Sequence, residues 1–571
     1  MKRYAYSSLI ALAALALPAE ALAGVAGIDS DGIPGCNFDT IQDAINNAGP
    51  NDTVWVQPGA VTPTAGIFIQ NPVSLEGGNA DCTSSGFPNR STIQGGAHDQ
   101  TLITVFDTSN VRIEGINLAG GSDPMHGGNL MVYLSSDVTL ADMKLTGGSA
   151  DWGGGNLYLK GAAVSMFRVD VVAGFAPYGG GVYAHDSSIV MKETDVEDND
   201  ASLDGGGLYL SSDGTPTTVR VASASCSVAG NTAGSRGGGV FATDAFEVNA
   251  GPFANDDWIL EANQAGTSGG GLYLLPDADL TMPTIGHVDV RSNVAATDGG
   301  GVFVGACSGC AVELQFEDSH VTDNEAARGA GMAMDAGPTG VVTVDETRID
   351  RNVASDEGGG LLVLSGDVTM QSLGPSMGLN LAPTMLTENS AAVRGGGIFN
   401  YGALALRRVV LNANDAAGPD EIGNFGTLDA ENVFVLGDGG MSVRTYAGGI
   451  SDYHHLTLNG NAGGATIMRW DPGSDGIVSS SIVLGGRVRE FKSGTLDAPC
   501  TLFTVTPTGS YNDPDSCHGP GCDPDFWWTW TSDHRPSPTS IARDACAAYS
   551  TTTTDTSGIA RDAWPNMGAY E

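Results

Sequence analysis

Short runs of alternating apolar and polar residues recur along this chain, and each run follows a triplet of glycines. The triplet at 205–207, for example, is followed by Leu-Tyr-Leu at 208–210. Runs of three or four alternating residues are typical of β-strands, because successive side chains of a strand point to opposite faces. A second motif precedes each triplet: an aliphatic residue, two further residues and an asparagine, as in Val196 and Asn199.

The two motifs return together at a nearly constant spacing. Successive triplets are 29 to 37 residues apart, with starting positions 205, 237, 269, 299, 329, 358 and 395. Internal repeats of this length indicate a solenoid, and these periods have no helical pattern that would suit a βαβ unit. We therefore predict an all-β fold, a single-stranded right-handed parallel β-helix in which each period is one coil. Further triplets at 127 and 154, with asparagine at the third place, and at 179 give ten coils, roughly 45–50 Å long at about 4.8 Å per coil.

The glycines and asparagines of the two motifs are predicted to shape the coil rather than to form a site. Glycine has no Cβ, so it can adopt positive φ at a corner and let stacked backbones approach closely. Asparagine tolerates the left-handed conformation, and stacked amides can hydrogen-bond from coil to coil. The spacing predicts that four asparagines lie in one row: Asn199, Asn231, Asn263 and Asn293.

A second row is predicted at the residue just before each triplet. In four consecutive coils this residue alternates in charge: Asp298, Arg328, Glu357 and Arg394. Stacked neighbours of opposite sign attract each other, so the row would help to set the register of the coils. Each exposed pair should contribute well under ~1 kcal/mol.

An aromatic residue stands second after the triplet in six successive coils. Its aliphatic neighbour must face the core, so strand alternation turns the ring outward. The rings would form a stripe roughly 25 Å long, suited to neutral sugar rings or to a partner protein. The alternatives are that the rings only stack on one another or are covered by the C-terminal segment. The predicted binding residues are Tyr158, Tyr183, Tyr209, Phe241, Tyr273 and Phe303.

The two ends of the chain differ from the repeats. Residues 1–23 have the charged start, apolar middle and Ala-Leu-Ala end of a secretory signal peptide. No later stretch is long and apolar enough to be a transmembrane helix. Residues 24–95 are predicted to form an N-terminal cap with the first coils, and 96–486 the β-helix repeats. In 487–571 the repeats stop, and cysteines and tryptophans accumulate.

The N-terminal cap is predicted to contain a short helix. Asp39 or Thr40 can cap it, and Ile41, Ala44 and Ile45 would form its apolar face. A solenoid needs such a plug, because a bare end exposes its core and the unpaired edges of its strands.

Nine cysteines in an exported chain permit disulfide bonds. We expect Cys36 to pair with Cys82, and the last four cysteines to form two bridges. Cys307 and Cys310 lie at a coil corner, where a local bridge competes with a redox pair or half of a metal site. Cys226 is then left as a buried free thiol.

Several of these motifs resemble known families. The Gly-Gly-x-apolar and aliphatic-x-x-Asn repeats over about 120–460 resemble the repeats of the chlamydial polymorphic outer membrane protein family, in which an aromatic residue takes the aliphatic place. They also resemble the wider set of secreted bacterial right-handed β-helix proteins. The order of Thr-Ile-Gln, helix and a strand ending in Pro-Gly looks like the start of pectate-lyase-like β-helices, in which the helix plugs the open end.

The C-terminal segment carries a further resemblance. Its Tyr-Asn-Asp, Asp-Pro-Asp-Phe and terminal Gly-Ala-Tyr-Glu sequences look like the choice-of-anchor Q region of secreted β-helix proteins. This resemblance implies a bacterial protein that is secreted or associated with the cell surface or outer membrane. It identifies no chemistry.

The formal net charge of −41 restricts the partners. It excludes nucleic acid and anionic membrane surfaces, which attract basic proteins. It also argues against an acidic polysaccharide, which would need a basic groove. An extracellular glycan, a cell-surface protein and divalent cations remain compatible with this charge, and the acidity also keeps a long repeat protein soluble.

The candidate catalytic residues are few. Asp170 and Asp195 are about one coil apart, so they would be stacked neighbours, and together with Arg168 they resemble a lyase site. Solvated surface acids are the commoner explanation of such a group. Ca²⁺ is the one cofactor that the sequence suggests, since it prefers carboxylate ligands. Its candidate ligands are Asp195, Glu197, Asp198 and Asp200.

Asp452, His454 and His455 form the one histidine-rich group, with a metal or acid–base role and a plain loop as the alternatives. The Gly-His-Gly and Arg-Ile-Lys sequences of polygalacturonase-like enzymes on this fold are absent. We therefore expect a non-enzymatic exported surface or secreted protein, adhesin-like or binding a glycan or a protein. The alternative is a polysaccharide lyase or glycoside hydrolase that acts on extracellular glycans.

Overall fold

The chain winds into a right-handed parallel β-helix of about 13 turns, as the repeats predict. The structure is a computed structural model, and it describes residues 26–28, 36–78, 90–96, 99–222, 226–243, 246–250, 258–275, 284–306, 312–372, 383–437, 440–460, 466–485, 487–490, 495–497, 501–503 and 517–518. A regular turn runs from the glycine triplet through one strand of sheet 1 and two strands of sheet 2. It then passes an asparagine corner and a short strand of sheet 3 before the next triplet.

Sheet 1 has 16 strands in the described residues, and most of them directly follow a triplet. They are Ile67–Ile69, Ile103–Phe106, Leu130–Tyr133, Leu157–Lys160, Val182–His185, Leu208–Ser211, Val240–Thr243, Leu272–Leu275, Val302–Val304, Met332–Asp335, Leu361–Ser365, Ile398–Asn400, Pro419–Asn424, Met441–Thr445, Thr466–Trp470 and Arg487–Glu490. Each strand pairs in parallel with the corresponding strand of the next turn, as in Leu208 with Val240.

Sheet 2 is the largest, and it forms two sides of the coil that meet at a bend. Its 34 described strands are Ala26–Ile28, Thr53–Val56, Gly59–Val61, Ser74–Glu76, Ser91–Gln94, Ser109–Glu114, Ile116–Ala119, Ser136–Thr146, Ala163–Val172, Ser188–Lys192, Asp195–Glu197, Thr217–Val221, Cys226–Ala229, Phe246–Ala250, Trp258–Glu261, Thr284–Gly286, Val288–Arg291, Glu313–Glu317, His320–Thr322, Val341–Asp345, Arg348–Asp350, Asp367–Gln371, Met385–Thr387, Ala403–Arg407, Val410–Asn412, Thr427–Glu431, Phe434–Gly437, Ile450–His454, Thr457–Gly460, Asp475–Ser479, Ile482–Leu484, Thr495–Asp497, Leu502–Phe503 and Cys517–His518. The first of these is antiparallel to the second, and the other pairs are parallel.

Sheet 3 is formed by short strands between the asparagine corner and the triplet. Its 11 described strands are Ser122–Asp123, Ser149–Ala150, Phe175–Tyr178, Asp200–Asp204, Thr232–Ala233, Gln264–Ala265, Val294–Ala295, Glu325–Arg328, Val353–Glu357, Ser390–Ala391 and Asp415–Ala416. The inward residue of most of these strands is a buried alanine. These alanines pack on one another from turn to turn.

The predicted capping helix is present at Ile41–Asn47, with Thr40 as its N-cap. Ile41, Ala44 and Ile45 are buried, as their spacing predicts. The side chain of Gln42 accepts a hydrogen bond from the backbone N–H of Phe68 at 2.6 Å and donates one to its carbonyl at 3.1 Å. The helix thus satisfies part of the first exposed strand edge as well as covering the core. It has seven residues, and no helix in the described part of the chain has the length and apolar character needed to cross a bilayer.

The aliphatic members of both motifs fill the interior. The residue after the triplet and the residue before x-x-Asn are buried in one continuous core, as Leu208 and Val196 illustrate. Cys226 lies in the same core and is a free thiol, as predicted. Each of the other predicted cysteine pairs includes a residue, or a side chain, that lies outside the described part of the structure. These pairs therefore stay predictions.

The triplet glycines of the regular turns have no room for a side chain: a Cβ on Gly206, at the second place, would lie 2.3 Å from the carbonyl oxygen of Gly238. Gly205 has a φ of +69°, and a Cβ there would lie 2.5 Å from the carbonyl oxygen of Leu208. A Cβ on Gly239, at the third place of its triplet, would lie 2.7 Å from the carbonyl oxygen of Gly271 and 2.9 Å from Nδ2 of Asn263. Separations below 3 Å are sterically forbidden, so a side chain at position 205 or 239 would force stacked turns apart.

The predicted asparagine row is confirmed, and it is longer than the sequence indicates. One Nδ2–H of each member except the last donates to Oδ1 of the next member at 2.6–3.2 Å. We call this row the amide ladder. Its ten buried members are Asn129, Asn156, Asn199, Asn231, Asn263, Asn293, Asn324, Asn352, Asn389 and Asn414.

The first two members of the amide ladder come from a different place in the repeat. Asn129 and Asn156 occupy the third place of their triplets, whereas the corner residues of those turns are Gly121 and Gly148. The backbone N–H of each corner glycine donates to the amide oxygen of its own turn, at 2.8 and 3.0 Å. A Cβ on Gly148 would lie 2.8 Å from Oδ1 of Asn156. The corner position and the third position of the triplet therefore direct their side chains into the same small space, and only one of the two can be asparagine.

We expect the replacement of Asn263 by alanine to lower the free energy of unfolding by about 3 kcal/mol, because several buried groups lose their partners. The backbone N–H and Nδ2–H of Asn231 both donate to Oδ1 of Asn263, and an Nδ2–H of Asn263 donates to the carbonyl of Val228. Urea denaturation followed by circular dichroism measures the loss. The control is Gln264→Ala at the next, exposed position, which should change the value by no more than about 0.5 kcal/mol. Equal effects of the two replacements would contradict the role of the ladder.

Candidate functional site

The six predicted binding rings form one column on sheet 1, and they face away from the central core. Leu208 and Leu210 belong to that core, whereas Tyr209 between them packs in a separate outer apolar cluster. Neighbouring rings stack with centroids 4.9–5.2 Å apart. The outward direction is thus confirmed. We call this set the ring column: Tyr158, Tyr183, Tyr209, Phe241, Tyr273 and Phe303.

The ring column is not the open stripe that strand alternation predicts. Phe241 is only 1% exposed and Tyr273 8% exposed, because each ring covers the faces of its neighbours. A Cβ on Gly237 would lie 2.7 Å from Cβ of Phe241, so the glycine turn covers the base of the ring. The guanidinium of Arg236, held by Asp204 at 2.8 Å, lies 4.7 Å from the Phe241 centroid. The rings present edges rather than faces, and the binding role predicted for them stays a prediction.

The predicted charge row is confirmed. Arg328 donates two hydrogen bonds to the carboxylate of Asp298, at 2.7 and 3.0 Å, and Nε of Arg394 donates to Glu357 at 2.7 Å. Arg328 and Glu357 are register partners in sheet 3, so opposite charges alternate along one column. Arg394 also lies 4.8 Å from the ring centroid of Phe399. The charge row therefore helps to cover the outer aromatic cluster as well as to match the turns.

The structure brings together only part of the candidate lyase site. Asp170 and Asp195 are register neighbours on adjacent strands of sheet 2, as predicted. Arg168 lies at a bend with a φ of +53° and donates to both carboxylate oxygens of Asp142, at 2.7 and 2.6 Å. Asp195 accepts a hydrogen bond from Oγ of Ser227 at 2.6 Å. The two carboxylates are thus paired with each other in register, but the arginine is engaged elsewhere.

The four acids predicted to bind Ca²⁺ do not converge on one point. Asp195 and Glu197 lie on one strand of sheet 2, Asp198 forms the corner with a φ of +53°, and Asp200 begins a strand of sheet 3. Within the residues that the structure describes, no group of three or more His, Cys, Asp or Glu could hold a metal ion. The carboxylates nevertheless affect one another. Burial, reinforced by Asp195, Asp198 and Asp170, raises the pKa of Glu197.

The histidine-rich group is divided between two sides of the coil wall. Asp452 and His454 share the outer face of their strand, where Nδ1 of His454 lies 2.5 Å from Oγ of Ser479. Burial raises the pKa of Asp452. His455 is buried at a bend with a φ of +54°. The two histidines therefore do not face one common site.

A chain of hydrogen bonds that the sequence did not indicate crosses sheet 1. Oγ of Ser211 lies 3.0 Å from Nδ1 of His185, and Nε2 of His185 lies 3.2 and 3.3 Å from the carboxylates of Asp186 and Asp213. Serine, histidine and aspartate in this order are used in nucleophilic catalysis. Here Ser211 and His185 are buried, and Ser211 also lies 3.3 Å from Oη of Tyr183. The chain joins the turn that contains Asp213 to the ring column.

The sequence interpretation also missed an exposed apolar surface beside the ring column. Met125, Trp152 and Leu203 each stand two residues before a triplet, and Phe175 and Tyr178 lie on the intervening turn. Their exposed fractions are large for apolar residues: 61% for Met125, 52% for Trp152, 48% for Phe175 and 42% for Leu203. We call these five residues the corner patch.

The corner patch is continuous over neighbouring turns. The backbone N–H of Trp152 donates to the carbonyl of Met125 at 3.0 Å, and that of Tyr178 donates to the carbonyl of Trp152 at 3.1 Å. The Trp152 and Tyr178 rings are in contact, with centroids 5.4 Å apart. Leu203 precedes Asp204, the register partner of Tyr178. The sequence did contain an indication of this surface. The position two residues before the triplet is apolar in these turns but polar in the next three: Ser235, Thr267 and Thr297.

Comparison with known proteins assigns no family to the chain. No protein-family model matches it, and no curated protein matches it either. The resemblances of its repeats and of its C-terminal segment therefore stay predictions, and the geometry described above is what supports a function.

We expect Phe241→Ala to lower the free energy of unfolding by about 3–5 kcal/mol, since it opens a cavity between two stacked rings. Phe68 provides a matched control. It occupies the same column through Thr104, Met131 and Tyr158, but it is 52% exposed. Phe68→Ala should cost under about 1 kcal/mol. Urea denaturation of both variants tests this difference, and equal losses would show that the ring column contributes nothing beyond its strands.

Glu197→Gln should raise the melting temperature at pH 7. The pKa of Glu197 is raised in the folded state from its usual 4.5, so the ionised carboxylate destabilises the fold once the pH exceeds that value. Below about pH 3.5 the carboxyl is protonated in both folded and unfolded states, and the gain should vanish. The control is Glu261→Gln, two turns along the same column, because Glu261 is paired with Arg291 at 2.7 Å. It should not stabilise at pH 7, and a stabilising effect of both replacements would contradict the local cause.

Proposed function

We propose that this protein is an exported, non-enzymatic β-helix that binds an extracellular partner, either a glycan or a cell-surface protein. In this proposal residues 1–23 direct export, and the mature chain is secreted or stays at the bacterial cell surface. The repeats resembling those of polymorphic outer membrane proteins and the choice-of-anchor Q-like C-terminal segment are consistent with this location.

The corner patch is the observation that carries the proposal. Four large apolar side chains from successive turns are 42–61% exposed on a protein whose formal net charge is −41. Contiguous exposed apolar surface on a soluble protein usually marks a binding site, whereas single exposed residues need no explanation. The ring column next to it supplies a stiff support, because its stacked rings are held at a regular spacing.

The alternative of a polysaccharide lyase or glycoside hydrolase has weaker support. It rests on the register pair of Asp170 and Asp195. The cation that would complete the pair, Arg168, is bound to Asp142. Glycoside hydrolysis needs two carboxyl groups that flank the scissile bond, and the carboxylate of Asp195 is already engaged by Oγ of Ser227 at 2.6 Å.

The proposal predicts that the corner patch is needed for adherence. Purified full-length protein, labelled with a fluorophore, is applied to a glycan array and to a panel of cells. The double variant Trp152→Ala/Phe175→Ala should lose at least about tenfold in affinity, since aromatic anchors dominate interfaces. The double variant Val393→Ala/Val353→Ala is the control: Val393 stands two residues before its triplet, and Val353 lies in the strand column of Phe175.

Val353 and Val393 are 48% and 46% exposed, so the control truncates smaller exposed apolar side chains at the corresponding places of later turns. Unchanged adherence of the Trp152 variant would overturn the corner patch as the binding site. The same glycan panel is assayed for new reducing or unsaturated ends, with and without Ca²⁺. Release of such ends by the wild-type protein would overturn the non-enzymatic proposal and favour the alternative.

A further inference from the structure

The composition of the corner patch distinguishes between a sugar and a protein as its partner. Sugar rings stack on flat aromatic faces, and Trp152 and Tyr178 supply two of these. Met125 and Leu203, however, are flexible aliphatic side chains that lie at both ends of the patch with large exposed fractions, 61% and 42%. A mixture of Trp, Phe, Tyr and Met is the composition enriched at protein interfaces, and methionine adapts its shape to varied apolar partners.

The charges around the corner patch indicate the sign of that partner. Asp151 adjoins Trp152, and Asp200 is the register partner of Phe175; both are exposed. Arg236, which stands before the triplet of the following turn, does not offset these charges, because its guanidinium is held by Asp204. The rim is therefore acidic, like the protein as a whole. Complementary potentials steer association and exclude partners of like charge, so a basic partner fits this surface.

The spacing of the anchors favours a helix over a strand. Successive turns of the solenoid place one anchor roughly every 4.8 Å along its axis. A helix that lies parallel to this axis presents one side chain of its apolar face about every 5.4 Å. A partner strand presents alternate side chains about every 6.6 Å, which is too far apart to match each turn. The run from Met125 to Leu203 thus accommodates about three helical turns.

We propose that the corner patch docks a basic amphipathic helix of a partner protein. The proposal rests on the proposed binding function of the same patch and names the chemical class of its partner. Apolar side chains of the helix pack between Met125, Trp152 and Leu203, and its lysines or arginines lie against Asp151 and Asp200.

The test uses the full-length protein and two synthetic 18-residue helical peptides. One has leucine on one face and lysine on the other, and the second replaces every lysine by glutamate. The lysine peptide should bind, with an affinity that falls as the salt concentration rises, and the glutamate peptide should bind at least tenfold more weakly. Isothermal titration calorimetry gives the affinities, and stopped-flow mixing gives the association and dissociation rates.

Variants separate docking at the corner patch from general attraction to an acidic protein. Trp152→Ala/Phe175→Ala should weaken binding of the lysine peptide at least tenfold, mainly through faster dissociation. Val393→Ala/Val353→Ala should leave it unchanged. Asp151→Asn/Asp200→Asn should slow association and reduce the dependence on salt.

Three outcomes would overturn the inference: equal binding of the two peptides, equal binding by the Trp152 and Val393 variants, or no binding. Each can be told from failure of the proposed function. If the Trp152 variant loses adherence to glycans or cells while the peptides show no preference, the corner patch binds a partner of another class. If adherence does not depend on Trp152, the proposed function itself fails.

Discussion

The hydrogen bond between stacked asparagine amides is the interaction on which this solenoid depends. At each corner the chain leaves one sheet before it enters the next, so the corner N–H cannot be satisfied by a strand and would be buried without a partner. The amide oxygen of the following turn accepts from that N–H and from the amide below it, as Asn263 does for Asn231. One side chain thereby fixes the height and the rotation of two successive turns.

All the other columns follow from this register. Once Asn231 lies on Asn263, the aliphatic residues after the triplets must stack inside the coil and the aromatic residues that follow them must stack outside. The residues just before the triplets then contact the same position in the next turn. Ion pairs such as Arg328 with Asp298 then add to an alignment that is already fixed. Replacing one outward residue changes the surface without changing the fold, which is how a corner patch can occupy a few turns while the same positions elsewhere are polar.

The periodic part of this structure could be predicted from the sequence, because Val-x-x-Asn and the glycine triplet each report one fixed place in the coil. The presence of Asn129 and Asn156 in the ladder could not be predicted. The third place of the triplet and the corner place are separate in the sequence, and they come close together only in the folded coil. Strand alternation gave the right direction for Phe241, but it contains no information on the glycine turn and on Arg236, which cover the ring. Likewise, the distance between Asp170 and Asp195 in the sequence predicts their contact, but not the capture of Arg168 by Asp142.

The amide ladder also has a direction. In every link between its ten described members, one Nδ2–H of the N-terminal amide donates to Oδ1 of the C-terminal amide, so the amide dipoles add as they do in a helix. At the positive end stands the buried carboxylate of Glu421, which accepts from the backbone N–H and Nδ2–H of Asn414. A turn inserted or deleted between Asn199 and Asn389 leaves this compensation intact, since each amide touches only its neighbours. The length of the solenoid can therefore vary by gain or loss of interior turns, while its carboxylate terminus has to be kept.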